Sequence, residues 1–145
     1  GVDNVILALA TDTGIAVGVN KGAAMPATAM NTSAMDIITG FGVGDTITTN
    51  VDTTGLVLAL VRNGQTSGAG TNAATTSHGV LTGVYDSTAD TFTPSNAGAD
   101  TMLLISADGN TAFALGYAGI VLVGYVDATQ NDTLSAGANA VYTGV

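Results

Sequence analysis

The chain has 145 residues, a formal net charge of −9 and only 9% charged residues. Its two fixed cations, Lys21 and Arg62, cannot displace the counterions of a nucleic acid or hold an anionic membrane surface. The absence of cysteine excludes disulfides, thiolate metal sites and cysteine nucleophiles.

All eleven acidic residues are Asp, and the chain is rich in Thr, Val, Gly, Asn and Ala. Helix-favouring Glu, Lys, Gln and Arg are absent or scarce, so the composition is that of strands and turns. The length suits a single all-β domain over residues 1–145.

Gly1–Ala10 reads as a strand behind a Gly-x-Asp lead-in, and Ile15–Asn20 as a second strand after the turn at Thr11–Gly14. The stretch 21–34 is compatible with a short helical turn at 26–34, led by Pro26, with Met25, Met30 and Met35 as plugs for gaps in the core. Asp36–Phe41 and Thr46–Thr49 are short strands about the bend Gly42-Val43-Gly44. Leu56–Arg62 is a continuous apolar run, as in a strand covered on both faces. Residues 63–79 are low in complexity and read as one long polar loop.

Val80–Asp86 and Asp90–Thr93 read as a hairpin around Ser87-Thr88-Ala89. Thr101–Ala107 and Thr111–Gly116 read as a second hairpin around Asp108-Gly109-Asn110. Ala112–Val126 is uncharged, but it falls short of the roughly 20 apolar residues of a membrane span. Two buried strands joined by a turn at Gly116–Gly119 explain it better, so no membrane insertion is expected. Ile120–Val126 is a strand, Asp127–Gly137 a polar connection and Asn139–Thr143 a last short strand. About ten short strands with frequent turns predict a sandwich or jelly-roll-like domain.

The stretch Ala34–Ile47 carries the chemistry most open to a functional reading. Asp36 and Asp45 each introduce a strand beside a glycine-rich bend, an arrangement that offers oxygens to a hard cation. Asp86, Asp90, Asp100 and Asp108 occupy comparable turn positions. Calcium takes about six to eight oxygens, so a site would combine two or more loops. The same aspartates also suit a purely local duty, accepting hydrogen bonds from nearby backbone N–H groups.

The order of several segments resembles one known family. Asp36–Ile47 resembles the "D-x-I-x-D-F-x-x-G-x-D-x-I" segment that follows the glycine-aspartate repeats of repeats-in-toxin (RTX) type, type I-secreted bacterial surface proteins, with Gly40 standing where the family usually has a second Asp. Val84–Asp90 resembles its "Y-D-x-x-T-G" hairpin. Gly98–Asn110 resembles its "G-x-D-T-φ-φ-φ-x-D-x-D-G-D-G" hairpin, with Ser106 and Asn110 at usually acidic positions. Ile120–Tyr125 and Asp127–Val141 resemble the strand and closing segment that follow. No tandem glycine-aspartate nonapeptides occur, so the chain is not itself a parallel β-roll. The resemblance implies export to the cell exterior and a place in S-layers, adhesins or related surface assemblies.

No catalytic constellation accompanies these motifs. Ser77 and His78 are adjacent and cannot by themselves form a Ser-His-Asp triad, no nucleophile elbow is present, and His78 reads as a loop histidine. Asn31-Thr32-Ser33 and Asn131-Asp132-Thr133 match the N-glycosylation pattern, as chance allows in a chain rich in Asn and Thr. Gly1–Ala10 has no charge beyond Asp3 and could complete a neighbouring copy's sheet, an open-ended contact that generates filaments or lattices. The expectation is therefore a secreted, non-enzymatic structural protein that polymerises with itself, with calcium as stabiliser and cell-surface glycans as further partners. The alternative is the terminal secretion-targeting domain of a larger RTX-type adhesin or enzyme. A phage or pilus-like appendage subunit fits the composition without motif support.

Overall fold

The computed structural model of the chain describes residues 1–7, 27–50, 52–54, 57–65, 75–106 and 117–145. Those residues form eleven strands and no helix: β1 (Asn4–Leu7), β2 (Met30–Asn31), β3 (Asp36–Thr39), β4 (Thr46–Thr49), β5 (Val57–Val61), β6 (Thr75–Asp86), β7 (Thr91–Pro94), β8 (Asp100–Ser106), β9 (Tyr117–Val123), β10 (Thr133–Ser135) and β11 (Val141–Thr143). They make a four-stranded sheet, β1-β4-β11-β10, and a seven-stranded one, β2-β7-β6-β8-β9-β3, with β5 paired to the first half of β6. The architecture is all-β and sandwich-like, as the strand-and-turn composition requires.

The larger sheet is built on period-two alternation with both faces apolar. Along β8, Leu103 and Ile105 enter one buried cluster while Met102 and Leu104 enter another. Ile120 and Leu122 of β9 go to the first cluster and Val121 to the second; Val80 and Leu81 of β6 divide in the same way. The first cluster also takes Ile47 of β4 and Tyr142 of β11, so it is the seam between the two sheets. Phe41 packs edge-on against Tyr125 there, with ring centroids 5.0 Å apart, a favoured aromatic geometry.

Three pairings are parallel: β1 with β4, β3 with β9 and β5 with β6. The hairpin expected around residues 87–89 is present, pairing Asp86 with Thr91. Asp86 Oδ1 accepts from the backbone N–H groups of Thr88 (2.8 Å) and Ala89 (3.1 Å), and Asp90 closes the turn at φ 49°, a left-handed conformation that Asp tolerates.

Several expectations need correction. The polar stretch 63–79 does not stay a loop to its end, because 75–79 form the start of β6, aligned on β5 from Val57↔Thr75 to Val61↔Gly79. Pairing with an apolar neighbour overrides weak local propensity there. No helical turn occurs over 27–34; Met30 and Asn31 pair with Phe92 and Thr91 instead. Of the turn expected at Gly116–Gly119, the described residues 117–119 are strand instead, the start of β9, and Tyr117 pairs with Ser106. β8 pairs with β6 on one side and β9 on the other; the stretch 111–116, expected as its hairpin partner, lies outside the described residues together with Asp108 and the strand expected at 15–20. The connection 127–137 contains a strand, β10. Met30 is buried and Met35 half-buried against the second cluster, as plugs should be, whereas Met25 is not among the described residues.

Candidate functional site

Asp45 ends the glycine bend and gathers three segments of chain. Its Oδ1 accepts from Asp3 N and its Oδ2 from Gly42 N, both at 2.8 Å. Its carbonyl accepts from Gly144 N at 3.1 Å, and Gly44 N donates to Gly144 O at 2.8 Å. Gly44 adopts φ 91°, which only glycine takes readily. The two backbone donors, Asp3 first and Gly42 second, hold the Asp45 carboxyl below the usual carboxylate range.

Asp100 works in the same way inside the larger sheet. Its Oδ2 accepts from Tyr85 N and its Oδ1 from Gly124 N, each at 2.8 Å, so it staples the end of β6 to the turn after β9. Asp86 and Asp90 serve the hairpin turn already described. Asp36 is half-buried on β3 and has a partner of its own. Among the described residues no three His, Asp, Glu or Cys side chains come together in a way that could hold a metal ion. The carboxylates expected to share calcium are thus dispersed, and those of Asp45, Asp86 and Asp100 are engaged by backbone N–H groups.

Sequence reasoning missed the more elaborate polar cluster. Asp132 is buried between two tyrosines: Tyr125 Oη donates to its Oδ1 at 2.7 Å, Tyr142 Oη donates to its Oδ2, and Val145 N donates to Oδ1 at 2.8 Å. Burial, and secondarily the Asp132 carboxylate, raise the ionisation of both phenols well above the ordinary tyrosine value. Nearby, buried Asp127 forms an ion pair with Arg62, while its Oδ1 accepts from Asn131 N at 3.0 Å. The available signal was the pair of aspartates within an otherwise uncharged segment, 127–137, flanked by Tyr125 and Tyr142.

His78 is not a loop residue. It lies on β6, 1% exposed, and burial pushes its imidazole down to about 4. At neutral pH it is an uncharged core side chain.

Among the described strands, β1 is one of the two outermost in the smaller sheet. Asn4 Oδ1 accepts from the hydroxyls of Thr46 and Thr48, each at 2.9 Å, and Thr46 N donates to Asp3 O. Val2 and Ile6 nevertheless remain 76% exposed, and Val43 on the adjoining bend 75%. The segment Gly1–Leu7 carries no Lys, Arg or Pro, the residues that usually protect an open edge. Val5 and Leu7 pack against the first cluster from one face of this strand, while Val2 and Ile6 stay uncovered. No protein-family model, curated protein or solved structure matches this chain.

Proposed function

We propose that this protein is a secreted structural subunit of a bacterial surface that assembles with copies of itself through its N-terminal strand. The carrying observation is the N-terminal segment: β1 is an outermost described strand of the smaller sheet, Ile6 on it and Val2 before it are exposed, it carries no Lys, Arg or Pro, and its contacts, including the packing of Val5 and Leu7, are ones that an identical strand from a neighbour can remake. Inserted head to tail, such a strand yields an open-ended polymer. Export to the cell exterior rests on the resemblance to RTX-type surface proteins. That resemblance also supports the second reading, a terminal secretion-targeting domain whose partner chemistry lies in a longer chain. Calcium enters as a counter-ion: copies of charge −9 repel one another, and a divalent cation lowers that cost without needing one dedicated site.

Negative-stain microscopy of the full chain and of a variant lacking residues 1–10 tests the proposal. Ordered fibres or sheets from the full chain, and compact folded particles from the truncated one, are expected. Filaments from the truncated protein would sink the strand-exchange idea. Compact particles from both, with or without calcium, would favour the secretion-domain reading.

A further inference from the structure

A cleft lies where three loops meet the edge of the larger sheet. Its volume is about 440 Å³, and its polar lining comes from Arg62, Asn63, Thr82, Asn96, Asp127 and Gln130. That volume falls within the range of small-molecule sites, roughly 300–1,000 Å³. Three of the six polar residues are carboxamides; that of Asn63 is spent on internal bonds, which leaves the Asn96 amide nitrogen and the Gln130 carboxamide to meet a ligand. Val80, Val126 and Ala128 supply apolar wall between them.

The lining is held in place by the protein's own bonds. Asn63 Nδ2 donates to Thr82 O at 2.7 Å and to Asn96 Oδ1 at 3.1 Å, which ties the turn after β5 to β6 and to the turn before β8. Ser95 N donates to the same Thr82 carbonyl at 2.9 Å. In the third loop Asp127 accepts from Asn131 N, and Gln130 stands at φ 57°, a left-handed backbone uncommon for a residue other than Gly, Asn or Asp. Backbone conformations of this kind cluster at ligand-binding loops.

Charge selects the ligand class. Arg62 is neutralised by its ion pair with Asp127, and the protein as a whole is strongly negative. An anion would meet no free cation among the lining residues and a repulsive field on approach. A neutral ligand with alternating hydroxyls and C–H surface matches the carboxamides of Asn96 and Gln130 and the short apolar wall. We propose that this cleft is a binding site for a neutral saccharide unit, so that the protein carries a glycan-recognition surface separate from its N-terminal edge.

Saturation-transfer difference NMR on the full chain tests this and works on monomer and polymer alike, so its failure leaves the assembly proposal standing. The probes are the methyl glycosides of glucose, galactose, mannose and N-acetylglucosamine at millimolar concentration, with glucuronate as the anionic arm. Asn96 and Gln130 are exposed, so Asn96→Ala and Gln130→Gly remove cleft groups without touching the core, and glycine suits the backbone at 130. Saturable transfer to at least one neutral glycoside is expected, weakened about fivefold or more in each variant, as loss of a hydrogen bond requires, with circular dichroism unchanged. Three outcomes would overturn the proposal: no saturable transfer to any neutral glycoside, transfer indifferent to both substitutions, or transfer to glucuronate alone.

Discussion

A buried carboxylate is tolerated only where donors surround it, and Asp132 has three, from Tyr125, Tyr142 and the backbone of Val145. Tyr142→Phe keeps the ring but leaves Oδ2 without its phenol. Loss of a hydrogen bond to a buried charged group costs about 1–3 kcal/mol, so urea unfolding of this variant is expected to shift by that amount at neutral pH. A shift indistinguishable from zero would place the phenol and carboxylate apart in solution. His78 makes a separate prediction in pH. Burial favours its neutral form and holds its folded value near 4, against 6.5 for a free imidazole. As pH falls, the unfolded chain therefore takes up the proton first. Stability that is fully present above about 6.5 is lost progressively down to about 4, by about 3 kcal/mol over the window. Asp45, whose carboxyl is held down by two backbone donors, adds a loss only at lower pH, as it protonates. His78→Gln should flatten the melting temperature between pH 6.5 and 4 and leave the steeper acid limb. A wild-type curve already flat in that window would mean the imidazole is hydrated.

At the scale of elements, close backbone approach sets the tolerances. A methyl group on Gly98 would overlap the Gly83 backbone, and one on Gly83 would meet the Phe92 ring at 2.5 Å. Gly98→Ala must push the turn at 95–98 off β6 and is expected to destabilise by about 1–3 kcal/mol. Gly137→Ala, where the nearest atom would be 3.5 Å away, serves as the near-neutral control in the same thermal melts. How far such elements could be read from the sequence depended on the source of their order. The alternation through Thr101–Ile105 and the turn at 87–90 are local, and both were legible. The parallel pairings join segments far apart in the chain and leave no local trace: Thr75–Gly79 became strand only because β5 lies beside it. Gly119 was read as a turn because glycine often is one, yet it pairs across to Leu104. The aspartates were legible as turn formers, and Asp86 and, through Gly42 N, Asp45 perform that duty, whereas Asp100 staples segments distant in sequence. Asp127 and Asp132 were not, since their partners, Arg62, Tyr125 and Tyr142, are assembled by tertiary packing.

At the scale of the whole molecule, two features oppose each other. An unguarded edge strand favours association, while a net charge of −9 on 145 residues resists it. Assembly should therefore depend on ionic conditions in a way that separates general charge relief from a specific calcium site. If relief is general, as the dispersed carboxylates suggest, magnesium at equal concentration should support fibres nearly as well as calcium, and monovalent salt at the same ionic strength should do so in part. Asp100→Ala should lower the melting temperature equally in calcium and in chelator, because it removes a staple on Tyr85 N and Gly124 N rather than a ligand. Light scattering against each salt, with melts of Asp100→Ala in both conditions, decides the matter. Fibres in calcium alone, together with an Asp100→Ala loss confined to calcium, would place a true site on these turns. Its remaining ligands would then have to come from a neighbouring copy or from residues such as Asp108 outside the described segments. In that event calcium would bridge subunits, and the edge strand would provide the register at which the bridge forms.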